Sequence, residues 1–274
     1  MERLYGQVAE FAGCNTSEDT LSCLRGVNAS TLALAGAKTL QARGSTLYAF
    51  APCMDGELIT MRPVEAFGSG KFARVNVLFG SNTNEGANWS NSLPSAAANT
   101  SMPNATETTV YNFIRGQYAP FTNSSFAQGL ELYPNATYNA SMSMQGQQMY
   151  GEARYICSAS LIGSGVASVG NRAWVYRYNN PNMGSNHGSE IQAMWGTPSA
   201  KATAQDKELF SRMREYWTSF VTGGDPVSSN VTWEEFGEGR RLLLDPSGIQ
   251  MEDIPSEQAE RCAFWHGISE ELNT

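Results

Sequence analysis

The sequence predicts an α/β domain in which helices flank a mostly parallel sheet. Two apolar runs, residues 75–80 and 173–178, have little polar alternation, and such strands are typical of a sheet that is buried on both faces. Segments with apolar residues at helical spacing lie before, between and after these two runs. Because the sequence contains no internal repeat and no linker-like segment, one domain over residues 1–274 is the simplest prediction.

The periodicity of apolar residues locates the helices and a further strand. Short helices are expected before the first strand, at 3–12, 20–25, 27–40 and 63–67. A helix at 150–169 should pack on the sheet between the two strands, and helices at 190–195, 206–222 and 256–266 should follow the second strand, with a short strand at 241–245. The inward face of helix 206–222 is predicted to carry Leu209, Phe210, Met213, Trp217 and Phe220.

Residues 90–140 differ in composition from the rest of the chain. They are rich in Ser and Asn, with scattered aromatic residues such as Tyr111 and Phe113. We predict an insertion of short helices on the outside of the domain.

Charge and hydropathy argue against nucleic acid as a partner and against a membrane-spanning segment. The formal net charge is −8 and no run of Lys or Arg occurs, so nucleic acid is not an expected partner. The longest apolar stretches fall far short of the roughly 20 residues that a membrane-spanning helix needs. We expect no transmembrane segment, and no motif predicts a cofactor or a metal site.

The Asn-x-Ser/Thr sequon is the clearest compositional signal. Nine of twenty asparagines begin one, where about three would be expected by chance. This excess predicts a secreted glycoprotein, and the alternative is a Ser/Thr/Asn-rich surface without glycans. Residues 1–7 contain no apolar signal-peptide core, so we expect the signal peptide to be absent from this fragment. The sequons begin at Asn15, Asn28, Asn88, Asn99, Asn104, Asn123, Asn135, Asn139 and Asn230.

Cysteine spacing also fits an oxidising compartment. Cys14 and Cys23 flank a short polar segment, which suits a disulfide that closes a loop. Cys53, Cys157 and Cys262 remain. At least one of these is expected to be free or to pair outside the chain, and the alternative for each is a small buried hydrophobic residue.

The loops after the two main strands each contain one candidate for chemistry. In open α/β sheets, functional residues collect at the carboxyl ends of the strands. Glu85 follows the first strand and His187 follows the second. A carboxylate that orients a proton-accepting imidazole makes up two-thirds of a nucleophilic hydrolase triad. The alternatives are a common Glu-Gly turn and a solvated loop histidine.

Several short motifs occur in a fixed order along the chain. They are Ala12-Gly13-Cys14 with Cys23-Leu24-Arg25, Asp55-Gly56, the segments 70–75 and 80–86, the segment 187–191 with Trp195-Gly196, and Trp217-Thr218-Ser219-Phe220 before Gly223-Gly224-Asp225-Pro226. Each motif is weak alone, but their order along residues 3–265 is specific. This ordered set resembles the type-B carboxylesterase/lipase family, which includes cholinesterases and fungal lipases.

The resemblance implies an α/β-hydrolase fold and an ester or lipid substrate. It implies that Glu85 is the acid and His187 the base of a Ser-Glu-His triad, and that Cys14 and Cys23 form a loop disulfide. Glu190 is expected to be structural. His266, in the predicted terminal helix, is expected to be a surface or packing residue.

One departure from the family pattern concerns the nucleophile. Relatives place the serine in Gly-x-Ser-x-Gly, upstream of the segment that matches residue 3, and this chain contains no such sequence. We therefore expect the C-terminal part of an α/β-hydrolase fold that lacks its N-terminal half, together with the serine and the oxyanion hole, and that is inactive alone. The alternatives are a non-catalytic cholinesterase-like binding or adhesion module and an unrelated secreted glycoprotein.

Overall fold

The computed structural model describes residues 2–229, 231–237 and 239–273. In these residues a four-stranded sheet has the order β1 (Val77–Asn82), β2 (Ala173–Tyr178), β3 (Arg240–Leu244) and β4 (Gln250–Asp253). The first three strands are parallel, and β4 is antiparallel to β3. Helices flank this sheet, so the predicted α/β fold with a mostly parallel sheet is confirmed.

The strand boundaries differ slightly from the prediction. Val75 precedes β1, which instead continues to Asn82, because β1 and β2 stay paired as far as Asn82 and Tyr178. The strand predicted at 241–245 lies at 240–244. β4 was not predicted, because Gln250–Asp253 has only one apolar residue, and its pairing with β3 is what makes it a strand.

The helices begin and end within a few residues of the predicted positions, with one exception. The helix predicted at 150–169 is a composite of α7, a π-helical turn at Glu152–Ile156, and α8. It starts earlier, because the Ser141 hydroxyl accepts a hydrogen bond from the Met144 amide and caps α7. The α-helices are α1 (Glu2–Phe11), α2 (Thr20–Gly26), α3 (Ala29–Gln41), α4 (Pro63–Gly68), α5 (Glu107–Gln117), α6 (Asn123–Leu132), α7 (Met142–Gly151), α8 (Cys157–Ser168), α9 (Glu190–Trp195), α10 (Ala204–Gly223), α11 (Ser256–Gly267) and α12 (Ser269–Leu272).

The Ser/Asn-rich segment 90–140 folds into short helices, and its polar side chains cap some of them. Thr122 accepts a hydrogen bond from the Ser125 amide at the start of α6. The segment is not merely external, however, since its aromatic residues form a core of their own with α7 and α11. Buried members of that core include Phe113, Tyr133, Met149 and Trp265.

Helix α10 packs on β2 and β3 in a second core. Of its predicted inward residues, Leu209, Phe210 and Met213 are buried. Trp217 and Phe220 are only partly buried, and Tyr216 is more buried than either. Tyr216 is suited to this position because its hydroxyl donates a hydrogen bond to the Val231 carbonyl.

The cysteines form two disulfides. Cys14 bonds to Cys23, and Cys157 bonds to Cys262 across a sequence separation of 105. Cys157 and Cys262 are buried, but as a disulfide and not as small hydrophobic residues. Cys53 is the free cysteine of the described residues, and because it is exposed, the buried-hydrophobe interpretation of Cys53 is wrong.

Candidate active site

Two loops leave the carboxyl ends of β1 and β2 side by side. A parallel bridge between Asn84 and Asn186 joins them beyond the strands. In it, the Asn84 amide donates to the Ser185 carbonyl at 2.9 Å. The paired strands therefore bring residues more than a hundred positions apart to one edge of the sheet.

Glu85 and His187 meet at this edge. Nδ1 of His187 lies 2.6 Å from Oε2 of Glu85, which is close enough for a hydrogen bond between the imidazole and the carboxylate. The two groups differ in exposure: the Glu85 side chain is 6% exposed and that of His187 is 45% exposed. A buried carboxylate thus holds one nitrogen of an imidazole that reaches towards solvent.

Backbone and indole groups fix Glu85 itself. Its second carboxylate oxygen accepts a hydrogen bond from the Asn82 amide at 2.6 Å, and its carbonyl accepts one from Trp89 Nε1 at 2.8 Å. Burial raises the pKa of the Glu85 carboxyl above its usual range, while the hydrogen bonds from Asn82 and His187 act in the opposite direction. A carboxylate of raised pKa is a stronger acceptor for the imidazole proton.

Glycines next to both residues allow this arrangement. Gly86 lies against the C-terminal half of α7, where an added Cβ would be 1.8 Å from the carbonyl oxygen of Gln147. Gly188 has a φ of +78°, in the left-handed region that favours glycine. Gly86 is therefore required by close packing of the Glu85 loop on α7, and Gly188 by the backbone conformation of the loop after His187.

Asn82, at the end of β1, links the two loops further. Its side-chain amide donates to the Asn186 carbonyl at 2.7 Å and to the Glu190 carboxylate. Glu190 thus has a structural contact at the edge of the site. Asn82 could not be predicted from the sequence, because nothing distinguishes it from its turn-forming neighbours before the partner loop is known.

Three aromatic residues that could not be predicted from the sequence lie near His187: Tyr155 and Trp89 contact its ring, and Tyr48 packs against Trp89. The ring of Tyr155 lies 4.3 Å from the imidazole, centroid to centroid, and the ring of Trp89 lies 5.5 Å from it. Tyr48 packs edge-on against Trp89 at 5.9 Å. These residues come from three separate segments, so no local pattern predicts that they meet.

The arrangement can accept a proton. An ionised Glu85 can only accept a hydrogen bond from Nδ1, so a neutral imidazole in this position carries its proton on Nδ1 and a lone pair on Nε2. Among the described residues, no hydrogen bond occupies Nε2. Nε2 could therefore act as a general base and accept the proton of a hydroxyl group placed next to it.

The structure also places the other residues that were named from the sequence, of which Asn88 lies in the Glu85 loop next to Trp89. His266 is half-buried in α11, beside Pro63 and Cys157, and burial lowers the pKa of its imidazole. The sequon at Asn230 lies outside the described residues, and Asn99 and Asn135 are half-buried. Exposed sequon asparagines are Asn15, Asn28, Asn88, Asn104, Asn123 and Asn139.

No helix in the described part of the chain has the length and apolar character for a bilayer crossing. No group of three or more His, Cys, Asp or Glu side chains in the same residues is arranged to hold a metal ion.

Comparison with known proteins places this chain in a family. The model of the carboxylesterase family matches residues 2–265. Acetylcholinesterase of Bungarus fasciatus is 25% identical over 284 residues, which are 95% of this chain and 46% of that protein. Secreted lipase 1 of Botryotinia fuckeliana is 25% identical over 266 residues, 88% of this chain and 44% of that protein.

A solved structure agrees in fold. The crystal structure of Aspergillus niger EstA superposes with a TM-score of 0.84 and 24% identity, covering 100% of this chain and 56% of that one. The chain thus spans about half the length of the relatives that it matches. Because the family model matches nearly all of its sequence, the chain belongs to the carboxylesterase family.

Proposed function

We propose that this chain supplies the acid and the base of a serine-dependent carboxylic-ester hydrolase. The observation that carries the proposal is the 2.6 Å contact between the buried Glu85 carboxylate and Nδ1 of His187. In this role Nε2 of His187 removes the proton from a serine hydroxyl as the oxygen attacks the ester carbonyl. Glu85 keeps the imidazole in the required tautomer and stabilises its protonated form.

The same two residues serve both halves of the reaction. The protonated His187 gives its proton to the departing alcohol, which leaves an acyl-serine. A water molecule then gives a proton to Nε2 and attacks the acyl carbonyl, so the acid is released and the serine is restored. Backbone amides that stabilise the oxyanion belong, like the serine, to the part of the enzyme outside this chain.

The serine would come from a segment that docks on the open side of the sheet. In the described residues β1 pairs on one side only, with β2. Near this unpaired edge Val75 is 56% exposed and Phe79 is 38% exposed. An unpaired edge with exposed apolar residues favours a further strand over solvent.

We propose that the protein is secreted and carries N-glycans. Two disulfides, a majority of exposed sequon asparagines and relatives described as secreted support this proposal. Oxidised cysteine pairs are rare in the cytosol of most cells.

Reconstitution tests the proposed function. The unaided chain should not hydrolyse p-nitrophenyl acetate above the solution rate, because it lacks a nucleophile at Nε2. Turnover should appear when the chain is joined in one polypeptide to the Gly-x-Ser-x-Gly-bearing N-terminal half of a family relative, and that half alone should remain inactive. Turnover by the unaided chain that disappears in His187→Ala would contradict the proposal.

A further inference from the structure

The ring of Tyr155 is the nearest aromatic contact of His187. Its centroid lies 4.3 Å from that of the imidazole, and the two planes are inclined by 32°. Trp89 stacks on Tyr155 at 22° and 6.3 Å, and touches the imidazole at a steeper angle of 53°. Tyr155 therefore covers a face of the imidazole, with Trp89 supporting it.

Tyr155 occupies an unusual backbone position. It lies in the π-helical turn Glu152–Ile156, between α7 and α8. A π-helical turn inserts an extra residue and rotates the side chains that follow, and such turns are frequent at functional sites. The turn is therefore what gives Tyr155 its direction towards the loop of His187.

Helix α11 holds both ends of this turn through two consecutive residues. At one end, Arg261 makes two hydrogen bonds to the Glu152 carboxylate, at 2.7 and 2.8 Å, and the Tyr133 hydroxyl also donates to Glu152. At the other end, Cys157 is bonded to Cys262. Glu152 is fully buried, and these hydrogen bonds give its carboxylate partners in place of water. Helix α11 thus fixes the π-helical turn by one ion pair and one disulfide bond.

From this geometry we propose that Tyr155 is a positioning residue for His187 and that α11 fixes Tyr155 through the π-helical turn. The inference rests on the proposed function, since it concerns the base of the same site. The hydrogen bond to Glu85 fixes only Nδ1, and the imidazole can still tilt about that contact. A flat ring against one face removes this freedom, and its π-system stabilises the imidazolium that forms during proton transfer.

NMR of the Nδ1 proton of His187 measures this positioning directly in the unmodified chain. The chain has two histidines, so His266→Gln assigns the signals of ¹⁵N-labelled histidine. We expect a downfield Nδ1 proton from His187 that is lost in Glu85→Gln. If the unsubstituted chain shows no such proton, the Glu85–His187 pair and the proposed function fail together. The proposal for Tyr155 alone is decided by variants of that residue.

Two variants of Tyr155 distinguish the effect of the aromatic ring from the effect of side-chain volume. Tyr155→Phe keeps the ring and should keep the downfield proton at its original linewidth. Tyr155→Leu removes the ring, and the signal should broaden beyond detection while circular dichroism shows an unchanged helix content. Retention of a sharp signal in a folded Tyr155→Leu variant would overturn the proposal, as would its loss in Tyr155→Phe.

Disulfide variants provide a second measurement that does not alter Tyr155. The double substitution of Cys157 and Cys262 by alanine should broaden the His187 proton, because it frees one end of the π-helical turn. The matched removal of the other disulfide, by Cys14→Ala with Cys23→Ala, should leave that proton unchanged. An equal response of the two double variants would contradict the role of α11.

Discussion

Replacing His187 by glutamine is expected to lower kcat/KM of the complete enzyme by about 10⁴-fold or more. Glutamine has no group that takes up a proton near neutral pH, so the serine hydroxyl would attack without a general base. The serine and the oxyanion donors would remain, and they account for residual turnover. The measurement is p-nitrophenyl acetate hydrolysis by the chain joined to a serine-bearing N-terminal half.

His266→Gln is the matched control for this substitution. His266 is half-buried in α11, where it lines a cavity with Pro63, Cys157 and Trp265. The same chemical change there should leave turnover unchanged. A His187→Gln enzyme as active as the His266→Gln enzyme would show that His187 is not the base.

Gly86→Ala is expected to destabilise the protein by about 3 kcal/mol or more. The new Cβ would lie 1.8 Å from the Gln147 carbonyl oxygen and 2.7 Å from the Gly151 amide nitrogen. Both neighbours are backbone atoms of α7, which cannot rotate away as a side chain can. Relief requires that the Glu85 loop and α7 separate, so Glu85 would move away from His187 as well. Urea unfolding of the complete enzyme, followed by tryptophan fluorescence, measures the change.

Gly6→Ala is the control for Gly86→Ala. Gly6 lies inside α1, and a Cβ there would meet nothing within 4 Å. Alanine is favoured over glycine in a helix by up to about 1 kcal/mol, so this variant should be slightly more stable than the parent. Equal free energies of unfolding for Gly86→Ala and the parent would contradict the packing of the Glu85 loop on α7.

Much of the fold follows from local pattern. The apolar runs that became β1 and β2 predict parallel strands buried on both faces. The parallel pairing is confirmed, but only β2 is mostly buried, and β1 is partly exposed. The loops after these strands predict where Glu85 and His187 lie. β4 was not predictable in this way, because it depends on pairing with β3. The partner of Cys157 was equally hidden, since its sulfur is bonded to a residue 105 positions away.

The surroundings of the site were less predictable than its two central residues. Asn82 is one of several polar residues in a turn-forming run, and its contacts with Asn186 and Glu190 exist only after the two loops pair. Tyr155 has ordinary helical neighbours in sequence, and a π-helical turn has no signature in apolar periodicity. The roles of Asn82 and Tyr155 depend on tertiary contacts, so the spacing of residues in the sequence does not predict them.

The most direct test of the account is a double-mutant cycle of Glu85 and His187 in the complete enzyme. If the two side chains act as one unit, Glu85→Gln should greatly lower the rate of p-nitrophenyl acetate hydrolysis when His187 is present. It should lower that rate no further when His187→Gln is already in place. Rate losses that multiply, each substitution costing the same factor with or without the other, would contradict the claim that Glu85 acts through His187.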